Sequence, residues 1–161
     1  MGLFDGLFKK KGNAMGAYME GKCVKIQEVP DPTFGDEILG KGIAIIPTDG
    51  KVYAPADGEI AMVFDTKHAV SLITGDGAEL LIHIGLETVS LNGEPFKAHV
   101  AAGDKVKKGD LLIEADLDMI QEKGCPIITP LVVCNSDDFS SIEGLTDKQV
   151  KVGDDVLVLN K

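Results

Sequence analysis

Short runs of β-branched and other apolar residues, separated by glycine, proline and aspartate, dominate the chain from residue 17 onward. Runs of this length with turn residues between them predict β-strands, and their repeated spacing predicts an antiparallel β-sandwich or barrel. We therefore expect an all-β fold with one or two short helices, at 117–123 and 137–145. The clearest strands are expected over residues 23–27, 42–47, 52–54, 59–64, 69–74 and 79–84.

Two sequence themes occur twice along the chain. Residues 102–111 resemble residues 150–157, and residues 20–24 resemble residues 57–61. In the first pair a Gly-Asp turn precedes an apolar run. Repetition of this kind predicts a pseudo-duplicated β-fold built from two related halves.

Length and charge limit the functions that the chain can have. Its 161 residues suffice for one domain with a substantial core, which we expect at 17–161 behind a tail at 1–16. Acidic residues outnumber basic ones by 26 to 16, so the net charge of −10 disfavours a nucleic-acid partner. No apolar run approaches the ~18 residues of a membrane span, and the three cysteines lack CxxC spacing, which fits a cytoplasmic protein.

The first residues carry a weak amphipathic pattern. The apolar side chains that fall on one arc of a possible helix are Leu3, Phe4, Leu7 and Phe8. Three lysines follow at 9–11, so residues 1–11 could contact an anionic membrane surface reversibly. Gly6 and Gly12 oppose a helix, which leaves a disordered tail as the alternative.

Two of the three histidines, His68 and His83, flank one predicted hairpin with Gly75-Asp76-Gly77 at its tip. A two-residue loop made of the first two tip residues would place the histidines directly opposite one another. A loop made of the last two would place them diagonally. In either register the two-residue period of a strand keeps both imidazoles on one face.

A pair of neighbouring imidazoles has a specific chemical use. Val70 and Leu81 would share the face of the rings and give it an apolar floor. A neutral imidazole, with its usual pKa of ~6.5, offers a nitrogen lone pair that can accept a phosphoryl group. A second ring can stabilise the charge on the phosphoryl oxygens. The pair therefore favours a phosphoryl carrier over two histidines that merely pack, whereas His99 is expected to be structural.

Residues 77–89, Gly-Ala-Glu-Leu-Leu-Ile-His-Ile-Gly-Leu-Glu-Thr-Val, resemble the phosphorylation-site signature of glucose-type enzyme IIA of the phosphoenolpyruvate-dependent sugar phosphotransferase system. The resemblance extends over 17–161, although residues 17–20 depart from the Ala-Pro opening of the family. Its further motifs are at 29–34, 54–58, 64–69 and 91–96.

This resemblance implies that His83 carries the phosphoryl group on Nε2, that His68 supports it, and that Thr66 orients His68. It implies phospho-HPr as donor, a cysteine of a sugar-specific enzyme IIB, with its membrane unit IIC, as acceptor, and no cofactor. Glu87 would add negative charge to the docking surface. The apolar residues that would line this surface are Phe34, Ile38, Leu39, Phe64, Val70, Leu81 and Val89.

Other functions fit the sequence less well. A zinc endopeptidase of the lysostaphin-like group needs three protein ligands, and only His68 and His83 occupy the corresponding places. A metal that these two histidines share with a partner's carboxylate stays an alternative. A biotin or lipoate carrier needs a lysine at a hairpin tip, which is absent between Thr74 and Gly77. A regulatory module whose partner choice depends on His83 phosphorylation would use the same site and stays open.

Overall fold

Antiparallel β-strands are the dominant secondary structure of residues 13–161, the part of the chain that the computed structural model describes. The first seven strands are β1 (Asn13–Gly16), β2 (Gly21–Lys25), β3 (Lys41–Pro47), β4 (Lys51–Tyr53), β5 (Gly58–Val63), β6 (Ala69–Thr74) and β7 (Glu79–His83). The next seven are β8 (Phe96–Ala98), β9 (Lys105–Val106), β10 (Leu111–Ala115), β11 (Thr129–Val133), β12 (Ser141–Gly144), β13 (Lys148–Val150) and β14 (Asp155–Asn160). The α-helices are α1 (Pro32–Gly35) and α2 (Leu117–Glu122), and 3-10 turns lie at Ile26–Glu28, Thr88–Leu91 and Ser136–Asp138.

The all-β expectation is confirmed, with local differences. The helix expected at 117–123 is present as α2, and the side chain of Asp116 caps it by accepting the N–H of Met119. The helix expected at 137–145 is wrong, because residues 141–144 form β12 and pair with β14. Only this long-range pairing separates a strand from a helix in so short a segment.

Residues 13–16, which we expected within the tail, form β1 and pair with β14. Helix α1 was not expected; it begins where Asp31 accepts the N–H of Thr33 and Pro32 occupies the first helical position. The amphipathic segment at 1–11 lies outside the described residues. No helix in the described ranges has the length and apolar character to cross a membrane.

The predicted hairpin lies in the middle of an eight-stranded sheet with the order β13-β2-β3-β11-β7-β6-β5-β9. Two three-stranded sheets, β1-β14-β12 and β4-β10-β8, complete the architecture. One face of β6 and β7 packs into the main core through Val70, Leu72, Leu80 and Ile82. The opposite face carries His83 at the end of β7, where it stays partly accessible.

The repeated Gly-Asp theme corresponds to a turn that occurs before β9, β10 and β14. In each turn the aspartate side chain accepts the backbone N–H of the residue three positions earlier, and the aspartate N–H returns to that residue's carbonyl. The glycines, Gly103, Gly109 and Gly153, all have φ +94°, a left-handed conformation that glycine adopts without steric cost. The repeated sequence theme therefore corresponds to a repeated turn that precedes a strand.

Candidate functional site

The β6–β7 hairpin adopts neither of the two expected registers. Ala69 opposes His83, and Thr74 opposes Ala78 across a three-residue loop. Gly77 ends this loop with φ +89°. The expectation of a two-residue loop is therefore wrong. The longer loop is held by the Asp76 carboxylate, which accepts hydrogen bonds from the side chains of Thr74 and Asn13.

In this register, regular strand alternation would put His68 and His83 on opposite faces, yet their rings meet. The ring centroids are 4.9 Å apart and the planes are inclined by 81°. His68 lies in a bend before β6, after Lys67 with φ +60°, so alternation does not govern its direction. Its carbonyl accepts the N–H of Ile84 at 2.7 Å, which ties the bend to the residue after His83. The two rings are neighbours, as expected, but the bend at His68 brings them together rather than the strand pairing.

Two phenylalanines extend the imidazole pair into a row of four rings. Phe34, in α1, lies 5.0 Å from His83 between ring centroids, and Phe64 lies 5.4 Å from His68. Phe34 is only 4% exposed and His68 5% exposed. The rings therefore shield the imidazoles from water on both sides.

The tautomer of His83 follows from its one ring hydrogen bond. His83 Nδ1 lies 2.7 Å from the carbonyl oxygen of Gly85. A carbonyl can only accept, so Nδ1 carries the proton and Nε2 keeps its lone pair. Gly85 has φ +71°, and an added Cβ would lie 2.8 Å from both the Pro126 oxygen and Thr88 Cγ2. Only glycine fits there. No pattern in the sequence predicted this role for Gly85, although it stands two residues after His83.

His68 has a corresponding partner in the turn between β5 and β6. Thr66 Oγ1 lies 2.6 Å from His68 Nδ1, so the two residues that the resemblance paired are in contact. When the hydroxyl donates to Nδ1, the proton of the neutral ring sits on Nε2. His68 can then donate a hydrogen bond to an anion beside His83.

Burial keeps both rings neutral at physiological pH. It lowers the pKa of His68 to about 4, and the nearby positive charge of a protonated His83 lowers this pKa further. Burial also lowers the pKa of His83, while the Gly85 carbonyl and the carboxylate of Asp31 oppose that shift. Asp31 was not predicted as a site residue; it belongs to the site because it caps α1 next to Phe34.

The residues expected on the docking surface fall into two groups. Phe34 and Val70 are both buried. The Phe34 ring still lines the site against His83, whereas Val70 packs in the core, so its assignment to this surface is wrong; the observed register turns it inward beside Ile82. Leu81 and Phe64 are partly exposed and Glu87 is exposed. Among the residues expected on this surface, the large apolar side chains that reach solvent are Ile38 (70% exposed), Val89 (52%) and Leu39 (39%).

The structure also bears on His99 and on the alternative of a metal bound by His68 and His83. His99 pairs with Glu114 at 2.6 Å, with β8 and β10 as its neighbours rather than the hairpin. Within residues 13–161 no three or more His, Cys, Asp or Glu side chains are grouped so as to hold a metal ion.

Comparison with known proteins identifies relatives over most of the chain. The family model for the phosphoenolpyruvate-dependent sugar phosphotransferase system, EIIA 1, matches residues 13–139. The PTS system glucose-specific EIIA component of Halalkalibacterium halodurans is 50% identical over 145 residues, which are 90% of this chain and 84% of that protein. The PTS system glucosamine-specific EIICBA component of Bacillus subtilis is 48% identical over 118 residues, 73% of this chain and 19% of that longer protein.

A solved structure shows the same fold. The glucose permease IIA from Mycoplasma capricolum superimposes with a TM-score of 0.87 at 35% identity, over 92% of this chain and 96% of that one. The family expected from residues 77–89 is thereby confirmed, as is a phosphocarrier role in sugar uptake. The chain belongs to the EIIA 1 family of the phosphoenolpyruvate-dependent sugar phosphotransferase system.

Proposed function

We propose that His83 is the residue that carries the phosphoryl group and that Nε2 is the accepting atom. The hydrogen bond from His83 Nδ1 to the Gly85 carbonyl carries this proposal, because it leaves the other ring nitrogen with its lone pair. The lowered pKa of His83 adds to it, since a protonated ring could not attack phosphorus.

The transfer needs no proton from the protein. The Nε2 lone pair of His83 forms a P–N bond as the P–N bond of a donor phosphohistidine breaks, and the donor ring leaves with that electron pair. His83 keeps its Nδ1 proton throughout, still bonded to Gly85. Phosphoryl transfer of this kind depends on in-line placement and on stabilising the charge of the phosphoryl oxygens.

His68 supplies that stabilisation in our proposal. Its ring is neutral and stands edge-on to His83, so its Nε2 proton can be donated to a phosphoryl oxygen without a second positive charge in the site. Thr66 holds the ring in this tautomer and orientation. The second step reverses the first: a cysteine thiolate of the acceptor forms a P–S bond, and the P–N bond to His83 breaks.

We propose phospho-HPr as the donor and a sugar-specific enzyme IIB as the acceptor. The exposed apolar residues Ile38, Leu39 and Val89 suit a protein partner that covers the site and excludes water. Glu87 offers negative charge to a cationic rim on that partner. The name of the Bacillus subtilis relative, EIICBA, places an A unit in one chain with B and C units, which favours the same succession here.

Intact-mass measurement tests the phosphoacceptor. We expect the chain to gain one phosphoryl group when it is incubated with phosphoenolpyruvate, enzyme I and HPr. His83→Gln should gain none, whereas the matched variant His99→Gln should gain it at the original rate. Undiminished phosphorylation of His83→Gln would refute the assignment.

A second assay separates the carrier from a purely regulatory module. Labelled phosphoryl groups should pass from the chain to a cysteine of enzyme IIB. His68→Gln should still be phosphorylated but should pass the label on more slowly, because the phosphoryl oxygens lose a donor. If label enters the chain and never leaves it for any IIB, the regulatory alternative is correct.

A further inference from the structure

The peptide group between Ile84 and Gly85 is held at both ends by buried threonine hydroxyls. Thr88 Oγ1 donates to the Ile84 carbonyl at 2.6 Å, and Thr129 Oγ1 accepts the Gly85 N–H at 3.3 Å. Both threonines are 0% exposed. They come from different parts of the chain: Thr88 begins the 3-10 turn after β7, whereas Thr129 is the first residue of β11.

Thr88 must donate, because the Ile84 carbonyl can only accept, and the direction of the Thr129 hydroxyl is determined by its other contact. Thr129 donates its own proton to the Ile127 carbonyl at 2.9 Å, so the lone pairs of its oxygen are left for the Gly85 N–H. The backbone carbonyl of Thr129 in turn accepts the hydroxyl of Tyr18, a fully buried residue, at 2.6 Å. The acceptor for Gly85 is thus anchored in the core.

Gly85 needs this anchoring because glycine does not restrict its own backbone. At φ +71° it occupies a region that it can leave with little steric penalty. Its carbonyl is nevertheless the group that sets the tautomer of His83. The next peptide is held by the bond from the Leu86 N–H to the Pro126 carbonyl at 3.1 Å, so the two threonines supply the restraint on the preceding one.

We propose that Thr88 and Thr129 are positioning residues for phosphoryl transfer: by clamping the Ile84–Gly85 peptide they aim the Gly85 carbonyl at His83 Nδ1 and keep the Nε2 lone pair free. They touch neither the phosphoryl group nor the partner. This inference rests on the proposed role of His83, but its effect on the ring can be measured without any phosphoryl donor.

The test compares Thr88→Val, Thr129→Val and the double variant with Thr88→Ser and Thr129→Ser, which keep the hydroxyls. Long-range proton–nitrogen NMR of labelled histidine, at a pH where the rings are neutral, reads the tautomer of His83. We expect the Nδ1-protonated form alone in the unaltered chain and in both serine variants, and a mixture with the Nε2-protonated form in the double valine variant.

Rates of phosphorylation by phospho-HPr give the functional readout. The double valine variant should lose roughly 10- to 100-fold, by analogy with the loss seen when hydrogen-bond partners that orient metal-binding imidazoles are removed. Thr74→Val is the matched control. Thr74 is also a buried threonine that accepts a backbone N–H, that of Ala78, but at the far end of the hairpin. Its loss should lower stability without altering the tautomer or the rate.

A folded double valine variant with the original tautomer and rate would overturn the proposal. Should that variant fail to fold, exchange of the Gly85 amide hydrogen in the unaltered chain decides: slow exchange supports the clamp, and exchange at the rate of a free peptide overturns it. If His83 of the unaltered chain were never phosphorylated, the proposed function would be wrong. The tautomer experiment would still test whether Thr88 and Thr129 position the Gly85 carbonyl.

Discussion

Mild acidification should destabilise this protein through His68. The pKa of His68 is lowered to about 4 in the folded chain, from 6.5 for a free histidine, chiefly because the ring is buried. Below pH 6.5 the unfolded chain binds a proton at His68, whereas the folded chain binds it only as the pH approaches about 4. The free energy of unfolding therefore falls as the pH drops from about 6.5 towards about 4, and the contribution of this ring levels off below that.

The size of the effect follows from the two pKa values. At about 1.4 kcal/mol per pKa unit the full difference is roughly 3 kcal/mol, of which about 2 kcal/mol should be lost between pH ~7 and pH ~5. His68 is 5% exposed as a whole residue, so solvent screening lowers these figures modestly and the full difference of roughly 3 kcal/mol is an upper value. His83, whose pKa is also lowered, changes stability in the same direction.

Urea unfolding at a series of pH values measures this loss. His68→Asn removes the titrating ring and should lose about 2 kcal/mol less than the unaltered chain over the same interval. His99→Asn is the matched control, because His99 lies outside the site and is 30% exposed at its side chain. A His68 ring that titrates near the free value by NMR, or a His68→Asn variant with an unchanged pH dependence, would contradict the reasoning.

Three further variants test the site. Gly85→Ala should lower the free energy of unfolding by about 2–5 kcal/mol in urea, because a side chain is strained at φ +71° and overlaps its neighbours; an unchanged midpoint would argue against that conformation. Thr66→Val should leave phosphorylation of His83 detectable in mass spectra but slow onward transfer to IIB, and unaltered onward transfer would remove Thr66 from the mechanism. Ile38→Glu should weaken HPr binding in calorimetry by about tenfold or more, as expected for a central apolar contact, whereas Val152→Glu, at an exposed turn before β14, should not; equal affinities would exclude Ile38 from the interface.

The geometry of the site would allow the proposed imidazole pair to transfer a phosphoryl group at neutral pH. Two rings at 4.9 Å could not both be charged, and burial between Phe34 and Phe64 already disfavours the charged form of each. The site thus keeps one free lone pair and one donor ready together. A phosphoryl group arriving there would meet groups that need no rearrangement.

Much of the fold could be predicted from the sequence, because the sequence signals for strands and turns are local. Alternating apolar runs and Gly-Asp turns give strands and turns that depend mainly on neighbours along the chain, as at β9, β10 and β14. The family signature around His83 likewise lies within one continuous segment. The errors arose where distant residues decide: β12 needs β14, and the register of β6 with β7 depends on a loop held by Asn13.

The amino-acid sequence alone determined that this chain is an all-β phosphocarrier candidate with His68 and His83 at one hairpin, because residue type and spacing are local properties. Tertiary structure decided how the rings meet. A bend at His68 brings the rings together, Thr66 and the carbonyl of the left-handed Gly85 set their tautomers, and in our proposal the hydroxyls of Thr88 and Thr129 hold the peptide before that carbonyl. Such directions depend on hydrogen bonds between residues up to 44 positions apart, which no pattern along the chain specifies.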